Sequence, residues 1–373
     1  MKIVYPNYDE SIMNVSNSIL KYYGVKNKYS SIKTLDDELN KGFNHVIYIL
    51  LDGMGANLVN NLLTKKDALS KYMKKEITSV FPPTTVAATD AVLSAVPPIV
   101  NGHLGWIQYF EKEDVNLVVF QNKDYYDPNR VISEDLRSKY LSFERLGDMI
   151  HKKNPDVITT EFFPSFVKNG SESFKEEIER VLLKTHNTDK SFNYLYWVEP
   201  DLIEHKTGIY SKETKEVINN LNTDFTELIE NITDDTIVIC IADHGLTDVE
   251  EINLLENKKL YSMLKRLPSI EPRAINFFVK DGFLETFKDL FNKDYSKYYK
   301  LYTKQEILDL KYFGDGVPHK LIDSFLGDYI CLAIDKFMFS LNSEKGYKAH
   351  HAGMSSDEMM VPLIIYSKNK VYI

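Results

Sequence analysis

The sequence predicts an α/β protein, a mostly parallel central sheet with helices on both faces and a smaller cap subdomain inserted into it. Three observations carry that expectation. First, the apolar runs HVIYILLD, YLYWVEPD and TIVICIAD each end in an aspartate, at Asp52, Asp201 and Asp243. Short runs rich in Val, Ile and Leu, without polar alternation, read as strands buried on both faces of a sheet. Second, helical patterns alternate with these runs, as right-handed βα units require. Third, the composition changes at about residue 253 to Lys, Tyr and Phe mixtures such as DYSKYYKLY, and near residue 345 it changes back before VPLIIY. The expected division is a core of residues 1–252 and 346–373, with residues 253–345 as the cap.

The elements follow in order. Residues 46–51 form the first buried strand, and Asp52-Gly53-Met54-Gly55 turns the chain into a helical pattern from Asn57 to Leu69. ITSVFPP then leads to Thr84-Thr85, and VAATDAVLSAV offers small residues at helical spacing until Pro97-Pro98 stops it. Thr85 thereby falls at a helix N-terminus. VNLVVF, a helix near Glu144 to Lys153, DVITTEFF and a charged helix from Glu172 to Lys184 continue the alternation. DLKYFGDGVPH and the strand-like DYICLAI belong to the cap, and VPLIIY returns to the core sheet. Parallel sheets bind ligands beyond the carboxyl ends of their strands, where the three aspartates stand.

Bulk properties narrow the function. A chain of 373 residues with 45 Lys and Arg against 54 Asp and Glu carries a formal charge of -9, with no basic block, which argues against duplex nucleic acid as a partner. No apolar stretch is long enough for a signal segment or a membrane span, so a soluble, cytoplasmic protein without a membrane partner is expected. Cys240 and Cys331 lie in apolar runs without CxxC spacing and read as buried thiols. Oligomeric state leaves no mark in the sequence.

A single aspartate after a buried strand reads as a cap for the next helix. Three of them gathered on one sheet edge read differently. His205 lies four residues after Asp201, His244 is adjacent to Asp243, and His351 precedes VPLIIY. The DxxxH spacing puts both side chains on one face of a helical turn, as metal ligands require. Gly245 permits the sharp turn after Asp243-His244. Carboxylate and imidazole donors without thiolate suit zinc, or manganese, better than magnesium. A two-metal site of this kind also needs a nucleophile, and Thr85 is the best-placed hydroxyl, activated by a metal and a helix N-terminus. The alternative is that Thr84 or Thr85 merely caps its helix.

Taken together, LLDGMG, FPPTT, EPDLIEH, ADHG and HAGMSSDEMMVPLI resemble the alkaline phosphatase superfamily, and within it the type I phosphodiesterase/nucleotide pyrophosphatase family. The resemblance implies an alkaline phosphatase-like fold and two divalent ions, zinc, with manganese as the alternative. It implies that one ion takes Asp52, Thr85, Asp243 and His244 and the other takes Asp201, His205 and His351, with Thr85 as the catalytic nucleophile. His350 is the less suited of the adjacent pair, because the family histidine precedes a small-Gly step matched by Ala352-Gly353. The chain departs from the family where nucleotide-hydrolysing members carry an asparagine a few residues after a His-Gly step. Here Asn101-Gly102 and Trp106 stand at those positions, so Asn101, His103 and Trp106 are the candidate substrate contacts. The implied reaction is hydrolysis of a small phosphodiester or nucleotide pyrophosphate through a phospho-threonine. The absence of arginine between Thr85 and Trp106 favours diesters over dianionic monoesters. Phosphomonoester or phosphonate hydrolysis, a phosphomutase and a non-catalytic metal-binding protein are the alternatives. The cap is expected over the carboxyl edge of the sheet, with Phe277, Phe278 or Tyr312 lining a leaving-group pocket.

Overall fold

A computed structural model describes residues 1–341 and 346–368, so 342–345 at the expected end of the cap and the last residues of the core, 369–373, lie outside the described part. In chain order the strands that build the two main sheets are β1 (His45–Leu51), β2 (Met73–Thr78), β3 (Ile107–Phe110), β4 (Val115–Val118), β5 (Lys123–Asp124), β6 (Ile158–Phe162), β7 (Ser191–Trp197), β8 (Thr236–Ile241), β9 (Ser269–Glu271), β10 (Ala274–Phe277), β11 (Tyr299–Thr303), β12 (Tyr329–Ala333) and β13 (Met360–Ser367).

The central sheet has the order β2-β13-β8-β1-β7-β6. β1 pairs in parallel with both β7 and β8, in registers such as Leu50↔Tyr196 and Ile49↔Cys240, and β6 runs parallel to β7. β13 is antiparallel to both β8 and β2, so the returning VPLIIY run is the one strand set against the others. Every residue of β1 and β8 is buried, because helices cover both faces and each apolar side chain has a packing partner. The expected mostly parallel α/β sheet is therefore present. Because the parallel strands start together, β1, β7 and β8 deliver Asp52, Asp201 and Asp243 to the same edge.

Four helices matter for what stands there: α1 (Ile12–Tyr22), α2 (Thr85–Ser94), α3 (Asp201–Thr207) and α4 (Lys212–Asn231). α2 is buried along its length except at Thr85, and Ala87, Ala88 and Ala91 let it pack closely, with α1 among its neighbours. Asn17 of α1 donates to the carbonyl of Ala95 at 3.1 Å, satisfying an otherwise open group at the C-terminal end of α2. The pattern from Asn57 to Leu69 forms two pieces, Ala56–Leu62 and Ala68–Lys71, rather than one helix. No helix among the described residues is long and apolar enough to cross a membrane.

The second sheet has the order β11-β12-β10-β9-β3-β4-β5, with every neighbouring pair antiparallel. Three of its strands come from residues 107–124, ahead of Asp201. The 253–345 segment thus supplies only part of this lobe, and VNLVVF belongs to it and not to the parallel sheet. Periodicity could not separate the two cases, since a short all-apolar run has the same appearance in either sheet. Phe277, Phe287, Phe291, Tyr299 and Phe339 form an aromatic core behind the sheet. Phe291 alone lies within 6.5 Å, ring centroid to centroid, of Phe277, Phe287, Tyr295, Tyr299 and Phe339. Phe291→Ala is expected to destabilise the protein by about 3–5 kcal/mol, the usual cost of emptying so much buried aromatic volume, as measured by urea unfolding.

Candidate active site

The end of β1 turns at Gly53, whose φ of 76° lies in the left-handed region. A Cβ there would come within 2.8 Å of the Asp201 backbone, so only glycine lets the β1 and β7 loops close on each other. They do so through the Asp201 amide, which donates to the Asp52 carbonyl at 3.0 Å. At the end of β8, Asp243 Oδ1 accepts from the amides of Gly53 at 3.1 Å and of its neighbour His244 at 2.9 Å. Gly245 follows, and a Cβ on it would sit 2.1 Å from the Asp357 carbonyl oxygen. Loops after three strands and the approach to β13 are thus packed at backbone contact.

The side chains meet in the space those loops enclose. Single donor atoms of Asp52, Asp243 and His244 lie within 4.8 Å of one another, and so do those of Asp201, His244 and His351. His205 Nε2 lies 3.3 Å from Asp201 Oδ1, and His351 Nε2 lies 3.9 Å from the same oxygen. Since a carbonyl only accepts, the contact of His205 Nδ1 with the Ala349 carbonyl at 2.8 Å places the proton on Nδ1 and turns the Nε2 lone pair inward. His244 is fixed the same way by the Gly245 carbonyl at 3.2 Å. Thr85 Oγ1, at the first residue of α2, is 3.2 Å from His244 Nε2 and 3.4 Å from Asp52 Oδ1. Thr84 stands at the N-cap position but makes no capping bond; its hydroxyl donates to Glu271 instead, at 2.5 Å.

Charge is crowded here. Burial, reinforced by Asp243 and Asp201, pushes the Asp52 carboxyl well above its usual range, although Tyr196 donates to its Oδ2. Burial likewise raises Asp243 to about 7. For Asp201 burial also acts upward, but the facing imidazoles, His205 first and then His244, hold it below the usual range. His351 is pushed well below its ordinary value by burial and then by the neighbouring His244 and His350, so it is neutral with a free lone pair to offer. Asp201 Oδ1 and Asp243 Oδ2 are fully buried and, among the described residues, have no hydrogen-bond partner. Buried carboxylate oxygens left open beside imidazole nitrogens form a donor set that fits divalent cations, and the lack of thiolate fits zinc or manganese.

A cavity of about 620 Å³ opens beside Thr85, Asp201, His205 and His351. Its other walls include Trp106 in the loop before β3, Tyr125 just after β5, Glu271 at the end of β9, and Phe339 and Tyr347 from the chain ahead of His351. The lobe therefore stands over the carboxyl edge of the parallel sheet. Trp106 is in the cavity as expected, but Asn101 and His103 are not. Asn101 donates to Ser94 Oγ at 3.1 Å and accepts from the His103 amide at 2.9 Å, and His103 pairs with Asp90 at 3.1 Å. Both brace the far end of α2, a task for polar groups next to a left-handed turn that reads the same in sequence as a phosphate contact. Phe277, Phe278 and Tyr312 are not cavity residues either: Phe277 packs on Phe287, Phe278 on Tyr109 and Tyr312 on Phe81. Glu271, Tyr125 and Tyr347 were missed by sequence reasoning, because nothing local ties them to the strand-end aspartates.

An α/β sheet carrying a threonine and a buried cluster of carboxylates and imidazoles at its carboxyl edge is the arrangement of an alkaline phosphatase-like fold. The family model described as "Type I phosphodiesterase / nucleotide pyrophosphatase" matches residues 46–356, and the chain belongs to that family. It is 29% identical over 127 residues to the bis(5'-adenosyl)-triphosphatase enpp4 of Mus musculus, a stretch covering 30% of this chain and 27% of that relative. In structure it is similar to murine ectonucleotide pyrophosphatase/phosphodiesterase 5, inactive and in complex with AMP, with a TM-score of 0.66, 15% identity and coverage of 86% of this chain and 87% of that one. The human counterpart gives a TM-score of 0.63 at 15% identity, covering 87% and 88%.

One buried ion pair holds the site together. Glu358 accepts from Arg273 Nε and Nη2 at 2.7 and 2.9 Å, and neither side chain reaches solvent. Glu358→Ala is expected to cost about 3–5 kcal/mol in urea unfolding, because it strands the Arg273 guanidinium without a counter-charge in the interior.

Proposed function

We propose that the protein hydrolyses small phosphodiesters or nucleotide pyrophosphates through a phospho-threonine at Thr85. The observation that carries this reading is the Thr85 hydroxyl at a helix N-terminus, within 3.4 Å of both Asp52 and His244, with an aromatic-walled cavity in front of it. Asp52, Asp243 and His244 with Thr85 would hold one divalent ion, and Asp201, His205 and His351 a second. His244 is near enough to both groups to sit between them. Bound ions of this type stabilise an alkoxide nucleophile and the charge that develops on the leaving oxygen.

The remaining work falls to the chain itself. Asp52 and His244 orient the hydroxyl, and the amide dipoles at the start of α2 favour its ionised form. Thr85 Oγ attacks phosphorus in line, the P–O bond to the leaving alcohol or phosphate breaks, the hydroxyl proton passes to the departing group, and that group leaves into the cavity. Water then attacks phosphorus and releases Thr85 with its proton restored. Trp106, Tyr125 and Tyr347 offer flat apolar faces suited to a planar leaving group such as a nucleobase. The AMP bound to the murine structural relative is consistent with such a substrate.

Turnover of p-nitrophenyl phosphate, bis-p-nitrophenyl phosphate, a phenylphosphonate ester and dinucleotides with zinc and with manganese tests the reading; it fails if no ester is cleaved under any of these conditions. Thr85→Ala should lower kcat by at least about 10³-fold while metal content, measured by atomic emission, stays near wild type. Thr85→Ser should keep partial activity. Near-normal rates in Thr85→Ala would replace the covalent route with direct attack by water.

A further inference from the structure

The cavity holds one acidic side chain that the proposed mechanism does not use. Glu271 ends β9 and is 2% exposed, yet it lines the cavity with Thr85 and Asp201. Its Oε1 accepts from Thr84 Oγ1 at 2.5 Å and from the Trp106 amide at 2.8 Å. The amide of Trp106, at the place where the family resemblance expects a phosphoryl-binding side chain, is therefore committed to a carboxylate instead of being free for substrate.

The backbone is bent to put Glu271 there. Ile270, immediately before it, has a φ of 76°, in the left-handed region that β-branched residues avoid. Ile270 is also the single residue through which β9 pairs with β3, opposite Ile107. A Cβ on Gly105 would come within 2.8 Å of the Ile270 side chain, so the opposing loop is shaped to admit this conformation. Strain of this kind persists where the surroundings over-determine it, and such positions cluster at functional sites.

We propose that Glu271 selects substrates by phosphoryl charge, its carboxylate, bonded to Thr84 in the cavity that Thr85 also lines, disfavouring a terminal phosphate dianion relative to a singly charged diester. The inference rests on the hydrolase reading above. A monoester brings one more negative charge to the same place, and Lys206 is the only Lys or Arg side chain among the described residues lining the cavity. Like charges held at fixed positions in a partly enclosed cavity reject a competing ligand more effectively than they would in water. Burial holds the Glu271 carboxyl up at about 7, so it is ionised on the alkaline side of neutrality.

The test compares wild type with Glu271→Gln, which keeps an acceptor for Thr84 and Trp106 and removes the charge. With zinc loaded at about pH 8.5, where both carboxyl and phosphate are ionised, kcat/KM is measured for p-nitrophenyl phosphate and for methyl p-nitrophenyl phosphate, which share a leaving group. The monoester-to-diester ratio should rise about tenfold in Glu271→Gln. In parallel, calorimetry on Thr85→Ala with and without Glu271→Gln compares binding of phenyl phosphate and methyl phenyl phosphate, and the same relative gain for the dianion is expected. Ratios unchanged within about twofold, even if both rates fall together, overturn the proposal and leave Glu271 a purely structural group. A wild-type protein that cleaves neither ester defeats the hydrolase reading, while the binding ratio still decides the role of Glu271.

Discussion

The Arg273–Glu358 pair is the constraint on which the candidate site depends. Both residues are completely buried, so neither charge can be relieved by water, and each must keep the other. Glu358 does more than balance Arg273. Its carboxylate accepts from the amides of Gly353 at 2.7 Å and Ser355 at 3.1 Å, fixing the turn that follows His351, and its backbone carbonyl accepts from Gly245 at 2.9 Å, fixing the turn that follows His244. Arg273 reaches across from the second sheet and donates also to the carbonyls of Asp335 and Phe337. A single residue, through its carboxylate and its backbone carbonyl, thereby sets the turns that follow two histidines and ties them to the lobe that covers them.

That rigidity answers an electrostatic problem. Bringing Asp52, Asp201 and Asp243 together in the interior is unfavourable, and burial alone would neutralise them. The protein offsets this with directed donors: two amides on Asp243 and a tyrosine hydroxyl on Asp52. What remains is an excess of negative charge and lone pairs facing one small space, a chemical description of a site organised around cations. Loops packed glycine to backbone, as at Gly53 and Gly245, leave such a site little room to relax.

The second sheet decides what can approach. Its junction, the Ile270↔Ile107 pair, lies directly beside Trp106 and Glu271, so the seam of the sheet is also a wall of the cavity. Aromatic rings and one carboxylate there face the Thr85 hydroxyl and the strand-end carboxylates of the parallel sheet. The cavity wall and the metal-type cluster thus reside on different lobes, joined by the Arg273 contact.

The sequence by itself determined the parallel sheet, its buried strands, and the convergence of Asp52, Thr85, Asp201, His205, Asp243, His244 and His351. These are local facts: an apolar run sets a buried strand, its last residue sets what stands at the edge, and the parallel arrangement puts those edges side by side. The second lobe was legible only in part, because β3, β4 and β5 are short apolar strands whose partners are far along the chain. Asn101 and His103 looked like substrate contacts, and only packing showed that they serve the end of α2. Glu271, Arg273 and Glu358 belong to the same class: a buried charge takes its meaning from a partner brought by the fold, and for Arg273 and Glu358 that partner is 85 residues away in sequence.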